Sequence, residues 1–92
     1  MSCPVTNSMY YVYVLISEKD GKFYTGSTDD LKRRVGEHHA GYSKSTVNRR
    51  PLRLVYYEAC LLESDARRRE KYLKTGMGKK YIHNRLKDYL NL

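Results

Sequence analysis

With 92 residues, of which 40% are hydrophobic and 30% charged, the chain has room for one core and the composition of a folded protein rather than a disordered one. No apolar run approaches the roughly 20 residues that a membrane span requires. Residues 1–7 lack the charged and apolar blocks of a secretory signal, so the protein reads as cytoplasmic, without a membrane role. The net charge of +8 is unevenly spread: residues 1–31 hold two of the eighteen basic side chains against four acids, and residues 32–92 hold sixteen against six. That body of net positive charge suits a polyanion such as nucleic acid.

Residues 1–9 read as a flexible N-terminal extension and residues 10–92 as a single domain. Residues 10–16 (YYVYVLI) are β-branched and aromatic on both faces, the pattern of a central strand covered on two sides. Glu18-Lys19-Asp20-Gly21 is a turn, Asp-Gly being a strong hairpin signal, and residues 22–26 form the returning strand. Ser27 and Thr28 are candidate caps for a helix from about Asp29 to Ala40, which Gly41 ends. A polar, basic loop over residues 42–50 runs to Pro51, and residues 52–60 (LRLVYYEAC) form a third strand. A second helix runs from about Ser64 to Gly76. A basic turn, Met77-Gly78-Lys79-Lys80, then leads to a third helix with Ile82, Leu86, Tyr89 and Leu90 on one apolar stripe. The predicted order is ββαβαα, an α+β fold. Cys3 and Cys60 lack CxxC or His spacing, which argues against a zinc site.

Several side chains interrupt apolar patterns. An even number of loop residues in the hairpin puts Tyr13 and Tyr24 on one face of the sheet, whereas an odd number separates them. Leu31, Arg34, Val35 and His38 share one stripe of the first helix, so Arg34 and His38 face the protein body or a cleft rim. An arginine placed there needs an anion, either a structural carboxylate or a phosphate matched to its forked donors. Glu70 shares a stripe with Ala66 and Leu73. It can be neutralised by neighbouring lysines and arginines, or it can hold Mg²⁺ together with substrate phosphate and water. A cation, a carboxylate and phenol or imidazole groups are together what phosphodiester cleavage requires.

In this order the elements resemble a known family. Tyr11-Val12-Tyr13 is similar to the GIY element and Tyr24-Thr25-Gly26 to the YIG element of the GIY-YIG endonucleases. The stretch Ser27 to Arg34 resembles the family's approach to its catalytic arginine, which falls on Arg34. Val35-Gly36-Glu37-His38-His39 resembles the R-x-x-x-H continuation of small bacterial members. Arg69-Glu70-Lys71-Tyr72-Leu73-Lys74 is similar to their R-E-x-x-L-K element and places the metal-binding glutamate on Glu70. Asn84 falls near a late family asparagine. The likeness spans about residues 10–90. Two departures are the missing first glycine and Ser27, which stands where the excision-repair nuclease domain has a lysine.

The resemblance implies a three-stranded antiparallel sheet flanked by helices and a metal-dependent endonuclease that hydrolyses DNA with Mg²⁺ (or Mn²⁺), structure-selective, in repair or processing. The expected catalytic set is Tyr13, Tyr24, Arg34, His38 and Glu70. Tyr13 would stand near the nucleophile with Tyr24 as its partner, and His38 would carry a proton. Candidate DNA contacts are Lys32, Arg33, Lys44, Arg49, Arg50, Arg67, Arg68, Lys74, Lys79 and Lys80. With no attached specificity domain in the sequence, a monomer either recognises DNA structure itself or is targeted by a protein partner. The competing readings are a non-catalytic nucleic-acid-binding module that keeps the nuclease fold, and an RNA-directed role.

Overall fold

A computed structural model describes residues 8–92, and the greater part of the expected extension, with Cys3, lies outside the described residues. Strand β1 (Tyr10–Ser17) and strand β2 (Phe23–Thr28) form a hairpin, followed by helix α1 (Leu31–Ala40). A single 3₁₀ turn (Val47–Arg49) precedes strand β3 (Leu52–Cys60). Helices α2 (Glu63–Leu73) and α3 (Gly76–Arg85) and a final turn of helix, α4 (Lys87–Leu90), complete the chain. The sheet is antiparallel in the order β2-β1-β3, so the most apolar strand lies in the middle, as its two-sided hydrophobicity requires.

Alternation along β1 divides the core into two layers. Val12 and Val14 point to one face, where they pack against Ala66 and Leu73 of α2 and Ile82 of α3. Tyr13 and Leu15 point to the other, where Leu52, Leu31 and Val35 close over them. Helix α1 therefore covers one face and the α2–α3 pair the other. The register shifts between Val14 and Leu15 on the β3 side, an irregularity that the β1–β2 ladder lacks.

The hairpin pairs Ile16 with Phe23 and Leu15 with Tyr24, which leaves an even, four-residue connection over residues 18–21. Gly21 takes φ +70° there, a conformation in which L side chains are strained. The Ser17 hydroxyl accepts from the amides of Lys19 and Asp20 and donates to the Arg49 carbonyl, fixing the turn to the later loop.

Three boundaries differ from the sequence expectation. Ser27 and Thr28 do not cap α1; they extend β2, where Thr28 pairs with Tyr11, and the cap is Asp30, whose carboxylate accepts from the Arg33 amide. Helix α2 ends at Leu73 rather than Gly76. The stretch Met77 to Lys80 is helical, because Thr75 caps α3 by accepting from the Gly78 amide. A Cβ at Gly78 would lie 2.7 Å from the Tyr72 carbonyl carbon, so only glycine permits α3 to approach α2 this closely. The expected single stripe of the third helix is broken at Leu86, where α3 ends and α4 begins.

Candidate active site

The even connection puts Tyr13 and Tyr24 on the face covered by α1. Their ring centroids lie 6.5 Å apart, and the ring of His38, one turn beyond Arg34 on α1, contacts both at 5.6 and 5.2 Å. Tyr13 Oη lies 2.8 Å from His38 Nε2, and His38 Nδ1 lies 2.7 Å from Thr46 Oγ1. Tyr13, His38 and Thr46 are all buried. Directly across the ladder from Tyr13 is Gly26, and a Cβ there would sit 2.6 Å from Tyr13 Cζ. The glycine of the YIG element is therefore the seat on which the Tyr13 ring rests.

Burial pushes the Tyr13 phenol up to about 12, although the Arg34 guanidinium facing it works in the opposite direction. Burial also lowers His38 to about 4, reinforced by the charge of Arg34. At neutral pH the pair is thus an un-ionised phenol and a neutral imidazole. Burial thus disfavours both the phenolate and the imidazolium, and the resting proton stays on Tyr13.

Arg34 is neither fully buried nor open, with 31% of its side chain exposed. Its guanidinium donates to Glu37 at 3.0 Å and reaches Ser43 Oγ at 3.5 Å. Glu37 chiefly raises its pKa, so the positive charge is secure. The carboxylate partner considered from the sequence is therefore present, and a phosphate arriving here would meet a guanidinium already oriented.

Glu70 lies on the opposite side of β2. Residues 24 and 26 of the strand face the tyrosine layer, and Ser27 faces α2, where its hydroxyl donates to Glu70 Oε1 at 2.6 Å. Lys74 Nζ lies 2.8 Å from Oε2. Burial raises the Glu70 carboxyl, but the Lys74 and Ser27 hydrogen bonds outweigh it and hold the group below the usual carboxylate range. The set expected from the sequence therefore straddles the edge strand, with Gly26 against its tyrosine half and Ser27 against Glu70. A cleft of about 460 Å³ runs over the end of β2 between Arg33 and Arg34 of α1 and Glu63 and Arg67 of α2. Of the expected catalytic residues Arg34 lines it, and Glu70 lines a smaller hollow of about 320 Å³ that shares Ser27 and Arg67 with it.

Among the described residues no group of three or more His, Cys, Asp or Glu side chains could cage a metal. A single ionised carboxylate nonetheless fits the way Mg²⁺ is commonly held, through one or two carboxylates with substrate phosphate and water supplying the rest. Lys74, half exposed on a flexible stem, pairs with Glu70.

The basic residues picked from sequence occupy different settings. Arg33 and Arg67 line the cleft, paired with Asp29 and Glu63. Lys32 stands on the neighbouring rim, Lys44 is exposed on the loop, Arg68 pairs with Asp65, and Lys79 and Lys80 project from α3. Arg49 bonds to Asp20 and to the carbonyls of Lys22 and Phe23, and Arg50 to those of Val47 and His39, so both tie the loop to the body. Asn84 is exposed on α3. Sequence reasoning missed Ser27, Glu37, Ser43, Ser45 and Thr46. Ser45 Oγ donates to Tyr24 Oη at 3.3 Å, so the Ser/Thr run of the loop is the wall that solvates the buried polar cluster. The run itself was visible, but nothing local says which helix a loop folds over.

This fold is that of a nuclease family. Residues 9–82 match the GIY-YIG catalytic domain, and the chain belongs to the GIY-YIG family. Its relatives include small proteins named UPF0213. One from Lacticaseibacillus paracasei is 47% identical over 66 residues, covering 71% of this chain and 73% of the relative. Another, from Halobacterium salinarum, is 46% identical over 67 residues, 72% of this chain and 86% of the relative. The solution structure of a UPF0213 protein from Bacillus halodurans superimposes with a TM-score of 0.52 at 37% identity, covering 83% of either chain. No helix among the described residues is long and apolar enough to cross a membrane.

Proposed function

We propose that the protein is a metal-dependent endonuclease that hydrolyses DNA phosphodiester bonds and acts on DNA structure rather than sequence, in repair or processing. The single observation that carries this reading is the hydrogen-bonded row Tyr13–His38–Thr46 beside Arg34, with an ionised Glu70 held on the other face of the same strand by Ser27. A module that only binds phosphate gains nothing from an ionised carboxylate in the hollow next to its cleft.

In this mechanism the scissile phosphate lies in the cleft against Arg34, whose fixed charge stabilises the extra negative charge of the five-coordinate transition state. The attacking water hydrogen-bonds to Tyr13 Oη. As it attacks phosphorus, its proton passes to Tyr13 while the phenolic proton moves to His38 Nε2, so no free phenolate forms. The imidazolium so generated donates from Nδ1 to Thr46 Oγ1. Tyr24, held by Ser45, packs against both rings and keeps the water's approach narrow. Glu70 would hold the divalent ion, Mg²⁺ or Mn²⁺, which supports charge on the phosphoryl and leaving oxygens when bound. The protein works as a cytoplasmic monomer, with targeting left to DNA structure or a protein partner.

The test is cleavage of labelled single-stranded, duplex, flap, fork and four-way-junction DNA with Mg²⁺ or Mn²⁺, against EDTA and Glu70→Ala. Metal-dependent cutting that disappears in the variant, with DNA affinity equal or improved, is the expected result. Cutting by Glu70→Ala at the normal rate would remove the metal assignment, and binding without cutting on every substrate would favour the binding module.

A further inference from the structure

A second, larger groove of about 850 Å³ opens on the α1 face, beside the catalytic cleft and sharing Asp29 with it. Its floor is the sheet itself. Tyr57 in the middle of β3 is the cross-strand partner of Tyr13, yet 56% of it is exposed. Gly36 of α1 borders the same groove without a side chain, and a Cβ built there would meet nothing within 4 Å. Tyr57 therefore lies open in the groove at the strand position next to Tyr13. Tyr11 and Tyr57 meet in it edge to face, their centroids 6.2 Å apart and their planes at 66°. A planar ring laid on one phenol meets the edge of the other, an arrangement that aromatic quadrupoles favour.

The charges around the groove select its occupant. Asp29 and Asp30 stand at the lip, where they repel phosphate and can accept N–H groups, and Lys32 lies beside them. The adjoining cleft carries the guanidinium groups of Arg33, Arg34 and Arg67, each paired with an acid of its own wall, Asp29, Glu37 or Glu63. One strand of nucleic acid presents that pair of chemistries side by side, an anionic backbone and a flat, amine-bearing base.

We infer that the Tyr11–Tyr57 groove receives an unpaired nucleobase of the strand whose phosphate occupies the Arg34 cleft. The inference rests on the nuclease reading for the adjoining cleft and adds the substrate class to it: DNA with a single-stranded, flapped or otherwise unpaired nucleotide at the cutting position. A base within an intact duplex is stacked and paired and does not enter the groove unless it is extruded.

The experiment separates base binding from catalysis by working in EDTA with the full chain. A single-stranded oligonucleotide carrying 2-aminopurine is titrated with the wild type, Tyr57→Ala and Tyr57→Phe, alongside a blunt duplex of the same length. The wild type should change the 2-aminopurine fluorescence through stacking. Tyr57→Ala should lose that change and at least about fivefold in single-strand affinity, with duplex affinity unaltered. Tyr57→Phe, which keeps the ring, should match the wild type. Unchanged fluorescence and affinity in Tyr57→Ala, equal losses on both DNAs, or no single-strand binding by the wild type would each overturn the inference. The nuclease reading is judged separately by cutting in Mg²⁺ or Mn²⁺. A Tyr57-dependent signal without cutting leaves the base groove standing and removes the nuclease, and cutting with no Tyr57 dependence does the reverse.

Discussion

The His38 ring sits fully buried between the Tyr13 hydroxyl and the Thr46 hydroxyl, with a pKa lowered from 6.5 to about 4. Folding therefore disfavours its proton. Above pH 6.5 the ring is neutral in folded and unfolded chains alike, and its contribution to stability is fully present. Between 6.5 and 4 the unfolded chain takes up a proton that the folded chain refuses, so stability falls as the pH falls. Each pH unit in that window costs about 1.4 kcal/mol, a total of about 3 kcal/mol, a large share of the 5–15 kcal/mol that holds a typical domain together. Carboxylates held low in the fold, such as Glu70, lose stability in the same direction, so a single acid titration does not isolate the histidine. The comparison is with His38→Gln, which keeps a donor and an acceptor without titrating. Urea unfolding at pH 7, 6, 5 and 4.5 should show the wild type losing about 2–3 kcal/mol more than the variant across the series. Parallel losses in the two proteins would refute the argument, as would an NMR titration of His38 with a midpoint near 6.5.

Gly26→Ala forces a methyl into the Tyr13 ring; it should cost about 1–3 kcal/mol in a thermal melt and lower cutting on the order of 100-fold by displacing the phenol. Arg49→Ala removes the ties to Asp20 and to the carbonyls of Lys22 and Phe23. It should therefore destabilise the fold by about 1–2 kcal/mol, whereas the exposed Lys44→Ala should leave the melting temperature alone and weaken DNA binding. DNA affinity measured from 50 to 200 mM salt should fall steeply, and a flat response would detach the positive charge from the binding surface.

How far the sequence could be read depended on whether a signal was local. The bounds of β3 follow from side-chain alternation and agree with the architecture, whereas the faces of Tyr13 and Tyr24 depended on a loop parity that the sequence leaves open and the four-residue connection settles. The inward turn of Arg34, His38 and Glu70 follows from helical periodicity in the same way. The start of α1 did not, because Ser27 and Thr28 suit a cap as well as a strand, and the pairing of Thr28 with Tyr11 decided it. Gly78 resembled a turn residue, and only contact with Tyr72 and Leu73 explains a glycine inside a helix. Periodicity also gave no warning that the tyrosines and Glu70 would lie on opposite sides of one strand. That division depends on which helix covers which face, a choice made by long-range packing.

The four-residue connection at the tip of the β1–β2 hairpin has a consequence for how the chain can vary. Adding or deleting one residue there would turn every side chain of β2 through half a revolution. Ser27 would then crowd beneath the Tyr13 ring, and the seat now occupied by Gly26 would face Glu70 with nothing to offer it. Two residues added together would restore the pattern. The loop lies at the tip of the hairpin and contributes no expected catalytic group, yet its length is constrained by arithmetic: the tip tolerates change in steps of two, and an odd step disturbs the tyrosine layer and the Ser27–Glu70 contact at once.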